Sequence, residues 1–186
     1  MNRLLKQTKV VHILVFVTVL FFTYGSYALA YNDYDNISCK WASPGSIKYK
    51  FIESTPSDYR TIFATAVVRF NDKGTKANMS HDYSGVTPNL FGIYNEDSST
   101  MGITYTYCTG IFGSTINSSD VGLNNLYFYN NPYRKDELQI KVAHHELGHF
   151  QGLGHSSVNP AVMQSGLYYY QYPQTDDVNG LNSLYP

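Results

Sequence analysis

Between residues 46 and 53 apolar and polar positions alternate, with Ile47, Tyr49 and Phe51 on one face. A period of two predicts a half-buried β-strand. Pro56-Ser57-Asp58 then reads as a helix start. Ile62, Phe63, Ala66, Val67 and Phe70 recur at three- and four-residue spacing, so an amphipathic helix is predicted over 59–70 and is stopped by 71–74. Further strands are predicted at 77–83, 90–95, 101–108 and 124–129, separated by Gly, Asn and Ser clusters. A long helix follows at 133–152. Leu138 and Val142 continue the face that carries His145 and His149, while Ile140, Ala143, Leu147 and Phe150 form a second stripe. A helix apolar on two sides is buried, so its polar seam must look into a cleft. The last helix, 176–184, turns Val178, Leu181 and Leu184 inward and carries Asp176 and Asp177 at the positive end of its dipole.

The N-terminal 30 residues break this pattern. Arg3, Lys6 and Lys9 precede an apolar run over 10–22, and Ala28-Leu29-Ala30 offers a small-x-small cleavage site. This is the form of a secretory signal peptide, with an uncleaved surface anchor as its rival. The domains expected are therefore a signal at 1–30 and one folded domain at 31–186, secreted to the extracellular side. Removing the leader leaves ten basic against fourteen acidic residues, which excludes a basic nucleic-acid surface. With 18 Tyr, 10 Phe and 15% charged residues, the chain is globular rather than disordered. Cys39 and Cys108, the two cysteines, would pair in an oxidising compartment. The alternative is a Cys39 thiolate that blocks a metal site.

The chemistry concentrates in His145-Glu146-Leu147-Gly148-His149 and the Gly152-Leu153-Gly154-His155 that follows. Two histidines four apart share a helix face about 6 Å apart along the axis, and both can reach one zinc ion. Gly152 suits the left-handed turn needed to swing the chain back and bring His155 in as a third ligand. Glu146, one step round the helix, is poorly aimed as a ligand but well placed to touch a water on the metal. Of six histidines, four lie within twelve residues, and histidines used for packing would be scattered.

With these residues in view, the chain resembles a metzincin, and among metzincins a matrixin, the matrix-metalloproteinase family. The resemblance is carried by Val142 through Ser157, by Ala161-Val162-Met163-Gln164 where a Met-turn belongs, and by Asp176-Asp177-Val178 onward in the last helix; residues 41–49 are similar to the family's entry strand. It implies an α+β, zincin-like fold: a twisted mixed sheet of about five strands with three helices. It also implies a zinc-dependent endopeptidase in which His145, His149 and His155 bind Zn2+ and Glu146 is the general acid/base. Met163 would pack beneath the ligands, and Asp177 would hydrogen-bond the Met-turn backbone or cap the helix. Partners would be protein or peptide substrates, with no nucleic acid, no stable membrane association once the signal is cleaved, and a monomeric state. Substrate would lie along an edge strand at 101–107, beside a pocket walled by Tyr168–Tyr172. A non-catalytic zinc-fold binding protein at the cell surface is the alternative. The chain departs from the family at three points. Only eight residues separate the cleavage site from Cys39, too few for a prosegment; His81-Asp82 is an isolated pair, so no second zinc is expected; and Ser165 stands where some metzincins place a tyrosine ligand.

Overall fold

A computed structural model describes residues 39–110, 114–131, 135–166 and 170–186. The predicted signal peptide and Tyr168 and Tyr169 lie outside these residues. Five strands form one sheet in the order β2-β1-β3-β5-β4. β1 (Ile47–Phe51), β2 (Met79–His81), β3 (Leu90–Tyr94) and β5 (Thr115–Asn124) run parallel, and β4 (Gly102–Thr109) is the antiparallel edge. The α+β class and the mixed sheet match expectation; the described residues hold four helices rather than three. These are α1 (Ser57–Asn71), α2 (Asn125–Asn130), α3 (Lys135–Phe150) and α4 (Thr175–Leu184).

Two neighbouring segments depart from the sequence reading. The strand expected at 124–129 is instead α2 over 125–130, because the Asn124 side chain, at the end of β5, accepts the Tyr127 N–H as a helix cap. The same side chain accepts from Glu96 N and donates to the Glu96 and Thr100 carbonyls at 2.9 and 2.8 Å, which ends the strand there. The fifth strand instead comes from 115–124, where polar residues hide it. Ser119 is buried but bonded, with its N–H on Asn89 Oδ1 and its hydroxyl against Thr106 Oγ1, while Asp120 Oδ1 accepts from Leu90 N.

The core lies between the sheet and the helices α1 and α3. Phe63, Phe70, Phe91, Leu123, Leu147 and Phe150 are fully buried there. The end of α3 is tied down from both chain ends. Trp41 Nε1 donates to Phe150 O at 2.7 Å, and Tyr185 Oη donates to Gln151 O at 2.7 Å, satisfying carbonyls that a helix terminus leaves open. Cys39 and Cys108 form a disulfide joining the start of the described chain to β4, so neither sulfur is a free thiolate. Among the described residues no helix is long and apolar enough to cross a membrane.

Candidate metal centre

α3 ends in a Schellman turn: Leu153 N bonds Gly148 O, Gly152 N bonds His149 O, and Gly152 sits at φ 97°. A Cβ there would lie 3.0 Å from Leu184 and 3.3 Å from the Cys39 carbonyl, so both backbone and packing require glycine. The turn returns the chain under the helix and brings His155 back to His145 and His149. His145 Nε2 lies 3.2 Å from both His149 Nε2 and His155 Nε2. The ligand atoms of all three lie within 4.8 Å of one another.

The ring orientations are fixed from behind. His145 Nδ1–H donates to Val162 O at 2.7 Å, and His149 Nδ1–H donates to Leu153 O at 2.8 Å. Each ring is thereby held in the tautomer whose Nε2 carries a bare lone pair. Two bare lone pairs facing at 3.2 Å repel unless a cation lies between them. The edge of a tetrahedron around zinc with bonds of 2.0–2.1 Å is about 3.4 Å, so the donor set fits that ion. Burial pushes the His145 pKa down to about 4, opposed by its bond to Val162 and assisted by His155 and Lys141, which favours the neutral, ligating form.

Met163 packs below. Its Sδ would lie 2.1 Å from a Cβ at position 148, so only glycine at Gly148 lets it approach the ligand helix. Asp177, 1% exposed, accepts from Val162 N, Met163 N and Gln174 N at 2.9, 3.1 and 2.7 Å. Both expected roles are therefore filled by one carboxylate, which fastens the methionine segment and caps α4. Ser156 N bonds Met163 O, and Ser156 Oγ donates to Asp176 Oδ2 at 2.5 Å, which fixes the strip just after His155.

Glu146 is 6% exposed and faces β4. Thr104 Oγ1 lies 2.7 Å from Glu146 Oε2 and 3.0 Å from Glu146 O, and a Cβ at Gly102 would stand 2.7 Å from Glu146 Oε1. Burial raises the Glu146 pKa to about 7, with the Thr104 hydroxyl opposing. Thr104, Gly102 and Gly148 were missed in the sequence. Only Gly148 left a signal, since glycine inside a helix is unfavourable unless packing demands it. A cavity of about 170 Å³ opens beside Glu146 and His145, reaching Lys141, Thr100 and Val162. Of the expected pocket tyrosines, Tyr172 lies elsewhere, its ring 4.1 Å from the Arg69 guanidinium, and Tyr170 packs on the core. His81 sits among Tyr49, Phe51 and Tyr83, and Asp82 accepts from Ser84 and Thr87 within its own turn.

Residues 119–186, from within β5 to the end of α4, match the family model described as matrixin. That stretch is matrixin-like. No curated protein matches the chain. The matrixin-like stretch contains all three histidines, Glu146, Met163 and Asp177, and the family is that of zinc-dependent metallopeptidases acting on proteins or peptides. The strands β1 to β4 precede the matched stretch and complete a mixed sheet of α+β class, as a matrixin catalytic domain would have.

Proposed function

We propose that the protein is a secreted zinc endopeptidase, with His145, His149 and His155 as the metal ligands and Glu146 as general acid/base. The observation that carries this reading is the convergence of three Nε2 atoms, two of them backed by backbone carbonyls, beside a carboxylate that no ligand geometry needs. Zinc would supply Lewis acidity, acidifying water and polarising the scissile carbonyl. Glu146 takes the proton of the attacking water and delivers it to the leaving amine. Thr104 holds Oε2, which leaves Oε1 to do this work. The free edge of β4 receives an extended peptide through backbone hydrogen bonds, so affinity comes with little sequence preference. Residues 1–30 direct export and are removed, and 31–186 act as one monomeric domain.

Replacing Glu146 with Ala should leave one zinc per chain, measured by metal analysis, and abolish casein cleavage. Persistent cleavage in that variant would refute the acid/base role. Full-stoichiometry zinc in a His155→Ala variant would refute the three-histidine site.

A further inference from the structure

Lys141 lies one turn before His145, on the same helix row as His145 and His149. It lines the cavity that opens beside Glu146. We propose that this cavity takes an acidic side chain of the substrate, glutamate ahead of aspartate, and that Lys141 selects it. The proposal rests on the peptidase reading above and adds a substrate class to it.

The walls of the cavity are of two kinds. Met101, Val142 and Val162 offer apolar surface for a methylene stem, while Ser99 and Thr100 offer hydroxyls. Among the described residues its one cation is Lys141, and its one acid, Glu146, already engages Thr104. A purely aliphatic recess would accept leucine or methionine. An ammonium in the wall changes that ranking, because a buried carboxylate is tolerated where a charged partner meets it. An ammonium carries three N–H donors, so it can receive a substrate carboxylate alongside any other contact. Partial burial draws the Lys141 pKa down to about 8, so the ammonium is partly desolvated yet stays protonated at neutral pH. Positions 141 and 146 are about 7.5 Å apart along the helix axis. A side chain entering beside Glu146 must span much of that rise, and glutamate reaches further than aspartate. The exported domain is acidic in total, with ten basic against fourteen acidic residues. Its overall field repels acidic peptides, so any preference for them must arise locally.

The test uses the zinc-loaded secreted protein and peptide pairs that differ only by Glu or Gln at one of the two positions flanking the scissile bond. The expected kcat/KM ratio, Glu over Gln, is on the order of tenfold at one of the two positions. It should fall to about one in Lys141→Met and decline as salt rises; Lys141→Glu should turn the preference toward Lys. A ratio of one in the wild-type protein, or one that Lys141→Met leaves unchanged, overturns the proposal. Failure to cleave any peptide would instead overturn the peptidase reading. Calorimetric binding of the same pairs to Glu146→Ala separates the two, because the Glu peptide should bind about tenfold tighter there whatever the turnover. Equal binding overturns the selection by Lys141.

Discussion

On one side of α3, the chain from Gly152 to Met163 is fixed by backbone hydrogen bonds and by a carboxylate that takes three N–H groups at once. On the other side, β4 reaches Glu146 with a single hydroxyl and the space left by a glycine. The ligand side is thus over-determined, and losing one contact there should disturb the fold. The Glu146 side is lightly held, and losing a contact there should disturb turnover instead. Structural and chemical demands on the site are met by separate groups.

The strongest way to break this contrast is Asp177→Ala. It leaves two buried donors and one half-buried donor without their acceptor, and a loss of about 4 kcal/mol in denaturant stability is expected, together with weakened zinc affinity. A change below about 1 kcal/mol would show that the methionine segment holds itself.

Next comes acid. His144 is fully buried against Phe70, on the face of α3 away from its ligand neighbours. Burial pushes its pKa down to about 3, with Arg69 adding to the effect; the Ile140 carbonyl opposes this without reaching normal hydrogen-bond geometry. The folded-state pKa lies below the ordinary value of 6.5, so this contribution to stability is complete above pH 6.5 and is lost as pH falls toward 3. Between pH 6.5 and 4.5 the loss is about 2–3 kcal/mol. Urea melts of the metal-free protein should show this slope, and His144→Leu should remove that part of it. His145 and Glu146 contribute equally to both proteins and cancel in the difference.

Gly148→Ala sets two effects against each other. Helix propensity alone would favour alanine by about 1 kcal/mol, whereas the contact with Met163 Sδ predicts a net loss of about 1–2 kcal/mol. The sign of the change in melting temperature decides between them. The smallest effect belongs to β4. Thr104→Val should lower kcat roughly tenfold with KM little changed and melting temperature within a degree or two, and Thr104→Ser should restore it. A matching fall in stability would mean that Thr104 acts on the fold rather than on Glu146.

The same contrast governs what could be read from the sequence. The ligand side was legible because helix geometry dictates its spacing: His145, Glu146, His149, Gly152 and His155 must stand where they do for one turn and one reversal to bring them together. Asp177 was legible as a helix-start acid, but its hold on the methionine segment only through resemblance. Thr104 and Gly102 were not legible, since a threonine and a glycine in a strand carry no pattern, and their relation to Glu146 exists only once β4 lies across α3. The strand 115–124 was hidden for a related reason. Its buried Ser119 and Asn124 answer tertiary hydrogen bonds rather than the alternation of apolar residues by which strands are recognised.

The disulfide and the proposed zinc ion are both crosslinks, and they span very different lengths of chain. Cys39 and Cys108 are 69 residues apart, and closing a loop of that size removes roughly 4 kcal/mol worth of disorder from the unfolded ensemble. The three imidazoles fall within one short stretch, so an ion among them restricts the unfolded chain much less. Chelation should therefore unsettle the catalytic cleft while the sheet persists, whereas reduction should loosen the whole domain without first touching a ligand.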